Sequence, residues 1–347
     1  MSGNGNSDNE RAGSRKWQLL DEVRADLRRL LQRLDDAESE VGGDGEQQAQ
    51  KTEQPIVDCK KEFEVWYGLK AIDVSPDGKT LIAATEDKIW IIDVDSGALA
   101  DVNLKEAPIY ALKFVPGQAL AVAGVSDGVV IVDIDKRKSL NYVGSKSPAV
   151  CQLAVTSDGR TVIVGRVDGW VLSWDLNRRT NNWASRMFSK AVQALAIAYD
   201  GRHVWCGSCD NHAFKLSMQN GNPSHAVATS GPVLSLAAVP RLNNLIIGHS
   251  SHFEVFEGRN DRILQCGGFE TCMNVCLTKN GNIILASRGG VVRAFYQNIP
   301  CELAATYSGH AADVISIVIM PDDKHFVSGA RDGSIHLGKL PVRGEKV

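Results

Sequence analysis

His203, Cys206, Cys209 and His212 form an H-x2-C-x2-C-x2-H run. Two imidazoles and two thiolates are the donors of a tetrahedral zinc site. That chemistry fails once the run is placed on the elements that must carry it. His203 and Cys206 lie an odd number of positions apart on a predicted strand, so they face opposite sides of a sheet. Cys209 falls in the turn that follows and His212 opens the next strand, so only two or three donors converge and no metal is expected. Cys272 and Cys276 share a strand face without a nearby ligand and read as small buried apolar groups. Asp322–Asp323 is a carboxylate pair in a predicted surface turn, with nothing to desolvate either acid. The chain has no nucleophile elbow, glycine-rich phosphate loop or metalloprotease helix, so neither a catalytic residue nor a cofactor is expected.

Recognition chemistry is better represented. Arg288 and Arg331 occupy the same position in successive copies of an internal repeat, Arg166 lies one residue off it, and Tyr110 sits near the start of a strand. Guanidinium groups on a rigid platform suit two-point capture of carboxylate or phosphate. Three solvated surface arginines are the other reading of the same residues.

The repeat that positions these residues begins after residue 56. LKAIDVSPDGKTLIAATEDKIWIIDVDSG returns as IYALKFVPGQALAVAGVSDGVVIVDIDKR and as CQLAVTSDGRTVIVGRVDGWVLSWDLNRR, and four further copies follow. The first turn of each copy sits at Gly78, Gly117, Gly159, Gly201, Asn243, Gly281 and Asp323, in steps of 38 to 42 residues. Each copy reads as strand, Pro/Asp/Gly turn, strand, tight turn, strand and a more variable fourth strand. Two apolar positions recur in the first strand, as in Ile72 with Val74 and Leu112 with Phe114, which marks one buried face seen seven times. The inward positions between them are mainly Ala, Ser, Gln, Asn and Cys, with Asp73 and Lys113 as exceptions. Four-stranded blades around an axis follow. The seventh copy lacks a fourth strand, and residues 57–66 have no other role; as its outer strand they would close the ring and remove an open edge.

A period near 41 with an Asp in the second turn resembles the WD-repeat propeller family, over residues 57–343. The turn Asp stands at Asp87, Asp127, Asp168, Asp210 and Asp332. The family's Gly-His matches only at Gly309–His310 and its Trp-Asp only at Trp174–Asp175, so the repeats are degenerate. His310, Ser328 and Asp332 come closest to the family's hydrogen-bonded set, with Gly338 in the Trp place. The resemblance implies an all-β, seven-bladed propeller.

Residues 1–16 are polar and read as disordered. In residues 17–41 a heptad stripe of Leu20, Val23, Leu27, Leu30, Leu34, Ala37 and Val41 predicts an amphipathic, coiled-coil helix. Gly42–Gly43 stops it, and residues 42–56 read as a linker. The helix either packs on the side of the propeller or pairs with itself or a partner helix; the unbroken register and the linker favour pairing. Helix plus propeller also resembles heterotrimeric G-protein beta subunits, in architecture only.

With 38 basic and 41 acidic residues, the net charge of −3 gives no field for gripping a phosphate backbone, so nucleic acid is not the expected partner. No apolar run approaches the length of about 18 residues that spans a bilayer, and the N-terminus lacks a signal-peptide core. Eight scattered cysteines fit reduced thiols. These features predict a cytoplasmic protein, with the nucleus also open to it. The expected function is a non-enzymatic scaffold or complex subunit whose partners are proteins. The alternatives are a G-protein-beta-like subunit with an obligate small helical partner, and a propeller hydrolase.

Overall fold

Short apolar strands separated by Asp/Gly turns can bury both faces only if sheets stack on one another. The computed structural model describes residues 56–57, 61–65, 68–104, 108–143, 148–240, 244–250, 252–258, 260, 262–266, 274–297 and 301–342. The predicted helix at 17–41, its stripe and the residues flanking it lie outside these.

Seven sheets, antiparallel but for one short added strand, follow one another along the chain. Their inner strands are Ala71–Val74, Ile109–Val115, Val150–Val155, Val192–Ile197, Ser235–Ala238, Asn274–Leu277 and Val314–Ile319. Each inner strand touches those of both neighbouring blades, and the seventh touches the first, so the ring is closed. The chain is an all-β, seven-bladed propeller.

The core is distributed around that ring. Among the described residues, seven apolar clusters each fill the gap between two neighbouring blades. Second strands such as Leu120–Val125 are therefore buried on both faces and lack clean alternation, as does the third strand Gly128–Asp133 of the same blade. Outer strands such as Thr180–Arg186 are half exposed and correspondingly polar. A glycine near the end of the second strand lets the next blade approach. A Cβ on Gly124, Gly165 or Gly207 would lie 2.6, 2.8 or 2.3 Å from Cγ1 of Val150, Val192 or Val233 in the following blade.

The turns repeat their own chemistry. Asp77 accepts the Lys79 N–H at 3.0 Å, Asp158 that of Arg160 at 3.1 Å and Asp322 that of Lys324 at 2.9 Å. In the last of these turns Asp323 takes the left-handed conformation (φ 56°) that Gly78, Gly159, Gly201 and Gly281 take elsewhere. Its carboxylate reaches the sixth blade, accepting the backbone N–H of Lys279 at 2.8 Å.

Lys61–Glu64 pairs antiparallel with Ser334–Lys339, setting Phe63 opposite Ile335. Phe63 and Val65 are buried there with Val327 and Leu81. Val57, read from the sequence as part of this strand, is placed elsewhere. Ile56–Val57 runs parallel to Glu302–Tyr307 on the outer edge of blade six. That edge has unpaired backbone groups, and a two-residue Ile-Val segment is enough to cover part of it. Among the described residues no helix is long and apolar enough to cross a membrane.

Candidate protein-binding face

The turns between second and third strands open on one end of the ring, together with the loops that lead into the inner strands. Contacts such as Ser189 N–H to Asp210 Oδ2 (2.8 Å) tie the two sets of loops together. Around the axis lies a cavity of about 360 Å³, lined by Lys70, Tyr110, Lys113, Gln152, Ser235 and Asn274, among others. Tyr110 is 42% exposed. Lys113 Nζ sits 3.1 Å from Asp73 Oδ1, while Asp73 Oδ2 accepts the Phe114 N–H at 2.8 Å. The two charged exceptions of the inner strands are therefore partners, spent on joining blade one to blade two. Polar inner-strand residues join other blades in the same way. Ser235 Oγ accepts the Val275 N–H at 3.0 Å, and Asn274 Nδ2 donates to Val314 O at 3.3 Å.

The three arginines separate by environment. Arg331 is exposed in the turn of blade seven. Arg288 is half-buried at the end of its strand, in blade six. Arg293 lies near it, and burial together with the Arg288 charge lowers the Arg293 pKa. Arg166 closes its fork on Asp168, with Nε 3.0 Å from Oδ1 and Nη2 against Oδ2. None of the three lines the axial cavity.

The turn aspartates differ too. Asp332 Oδ1 accepts from Ser334 N (3.0 Å) and Oγ (2.7 Å). Ser334 Oγ in turn meets His310 Nδ1 at 2.6 Å, and His310 Nε2 meets Ser328 Oγ at 2.8 Å. His336 stacks on His310 at 3.8 Å. Burial and the neighbouring His336 push the His310 pKa down to about 4. Asp87 offers its backbone carbonyl to Leu104 N–H at 2.8 Å. Asp127 Oδ1 and Asp210 Oδ1 are buried without a hydrogen-bond partner among the described residues.

The H-x2-C-x2-C-x2-H donors point to separate tasks. His203 Nδ1 meets Asp200 Oδ2 at 2.7 Å and His212 Nδ1 meets the Asp210 carbonyl at 2.9 Å. Cys206 is fully buried, and that burial pushes its thiol far up, away from the thiolate that binds metal. A different set, missed in the sequence, converges in blade five: His249, His252 and Glu254, whose ligand atoms all lie within 4.8 Å of one another. Burial would raise the Glu254 pKa, but hydrogen bonds from His249 and Ser230 outweigh it and hold the carboxyl at about 2. The signal was an H-x2-H-x-E run across a tight hairpin, legible only with the strand register in hand.

The family model for the WD domain, G-beta repeat, matches residues 301–337, the stretch that holds His310, Ser328 and Asp332. Transducin-like enhancer protein 2 of Mus musculus is 24% identical over 255 residues, covering 71% of this chain and 33% of that protein. The small ribosomal subunit protein RACK1 of Neurospora crassa is 27% identical over 123 residues, 32% of this chain and 38% of that protein. Transcription factor unc-37 of Caenorhabditis elegans is 24% identical over 211 residues, 60% of this chain and 32% of that protein. The chain thus spans about a third of the length of these curated relatives. A chain in the crystal structure of a mitotic checkpoint complex superimposes with a TM-score of 0.75 at 14% identity, over 87% of this chain and 98% of that one, a likeness of fold alone.

Proposed function

Because the chain is a WD-repeat propeller with degenerate repeats, we propose that it is a non-enzymatic protein-interaction scaffold or complex subunit. The observation that carries this reading is the loop-bearing end of a closed ring, where Tyr110 stands exposed at the mouth of the axial cavity. Asp73 and Lys113, the charged residues of the first two inner strands, neutralise each other. Rigidity favours recognition, since a preorganised face loses little conformational entropy on binding. Arg331 and Arg288 add cationic groups at one repeat position in adjacent blades, suited to an acidic partner. Arg166, closed on Asp168, adds less. The heptad stripe of residues 17–41 would supply a second contact, to a helical partner or to a second copy. An obligate small helical partner, as in a G-protein-beta-like subunit, is one form of that contact. Relatives named as a transcription factor and as a ribosomal subunit protein support a role in either nucleus or cytoplasm.

The test is quantitative affinity purification from the source cells with the full chain, the chain lacking residues 1–55, and Tyr110→Ala/Arg331→Glu on the full chain. Partners lost from the face variant but kept by the truncation belong to the propeller; the reverse pattern belongs to the helix. A partner set unchanged by the face variant would remove Tyr110 and Arg331 from the interface.

A further inference from the structure

The blade-five hairpin joins the strands Leu245–Gly248 and Phe253–Glu257. Gly248 pairs with Phe253 and Ile247 with Glu254. At the turn the His249 N–H donates to the His252 carbonyl at 2.9 Å. Residues opposite one another share a face, and alternation along each strand puts the next pair on the other one. His249, His252 and Glu254 therefore project from a single side of the hairpin.

That side is roofed by the loop leading into blade five. His249 Nδ1 lies 3.1 Å from the Pro232 carbonyl and Ser230 Oγ lies 3.0 Å from His252 Nε2. A carbonyl only accepts, so Nδ1 of His249 carries a proton, and Nε2 is the ring nitrogen left to face Glu254. His249 Nε2 is 2.9 Å from Glu254 Oε2, and His252 Nε2 is 3.3 Å from Glu254 Oε1. Two imidazole nitrogens and one carboxylate thus converge, with their ligand atoms all within 4.8 Å of one another.

We propose that His249, His252 and Glu254 hold a divalent transition-metal ion of the zinc type. Bonds of about 2.0–2.2 Å at tetrahedral angles separate N and O ligands by about 3.3 Å, close to the two N–O separations here. Two imidazoles and one carboxylate suit zinc and its neighbours rather than calcium or magnesium, which take oxygen donors. The His249–Pro232 hydrogen bond is the outer contact that fixes the tautomer of a ligating imidazole. The side chains of His249 and Glu254 are 1% and 4% exposed and that of His252 is 11%, so His252 and the exposed Ser230 mark the open side. The ion would pin a turn on the end of the ring that carries the proposed binding face.

The full chain is stripped with a chelator and titrated with Zn²⁺ by calorimetry and with Co²⁺ by visible absorption. One ion per chain is expected, with the intense absorption of tetrahedral Co²⁺. Zn²⁺ at about a hundredfold excess over its Kd should raise the wild-type melting temperature by several degrees. Outer contacts alone are worth about 10–100-fold in affinity, so His252→Gln or Glu254→Gln should weaken binding by about 100-fold or more. His203→Gln with His212→Gln should keep both stoichiometry and affinity. Failure of the wild-type chain to bind Zn²⁺, or binding that survives His252→Gln and Glu254→Gln, would overturn the proposal and leave a protonated imidazole–carboxylate network. The wild-type titration and melt decide the matter even where a variant folds poorly.

Discussion

A methyl group at position 207 would place its carbon 2.3 Å from Val233 Cγ1 and 2.9 Å from Val233 Cβ. The valine is fully buried at the start of blade five, so it has little room to give. Gly207→Ala should therefore destabilise the propeller by about 1–3 kcal/mol in urea melts. In a Val233→Ala background, where Cγ1 is gone, the cost should shrink by about 1 kcal/mol; an additive double variant would locate the strain elsewhere. His310 is sensitive in a second way. It stacks on His336, with Asp332 and Glu62 as the facing acids. Its folded pKa is about 4 against an ordinary 6.5, so between these values the unfolded chain binds more protons than the folded one. This contribution to stability is complete above pH 6.5 and is lost as pH falls through about 4. His336, lowered mainly by burial, acts in the same direction. Urea midpoints measured from pH 7 to 4 should fall across that window, and His310→Gln should flatten the decline. An unchanged slope would remove His310 as its source.

At the scale of elements, the strand with most at stake is Lys61–Glu64. It covers the outer edge of Ser334–Lys339 and buries Phe63. A chain beginning after Pro55 keeps this strand and should melt like the parent. One beginning after Trp66 exposes that edge and empties the Phe63 site, so it should melt lower and aggregate. Equal melting and solubility of the two chains would mean that closure contributes nothing. The blades were legible because their signals are local: an Asp/Gly turn beside an apolar strand, repeated seven times. What stayed hidden depends on partners distant in sequence. Ile56–Val57 has no pattern that points to Thr306 and Tyr307. Arg166 and Asp168 each had a separate reading as surface arginine and turn aspartate, and only the fold closes one on the other. His249, His252 and Glu254 converge through the pairing of Ile247 with Glu254, which no spacing rule supplies.

For the whole molecule, the proposed division of labour sets a rigid ring beside a recruiting helix. Leu27 and Leu34 fall at equivalent positions of the heptad stripe, one heptad apart. Replacing both by Asp removes apolar burial worth about 1.5–3 kcal/mol for each leucine. It also places two carboxylates in an apolar seam without partners. A short coiled coil has too little stability to absorb that, so a helical partner should dissociate, or a homo-oligomer should fall to monomer. Of the residues read as a linker, 42–55 separate the stripe from the first described strand, which takes in Ile56, so the propeller's own melting should not change. Light scattering after size exclusion, a pull-down and a melting curve read these effects separately. Association lost with an unchanged melt supports an autonomous helix. A melt lowered by several degrees with association intact would instead mean that the stripe packs against the propeller, and the recruiting role would then rest on the loop-bearing face alone.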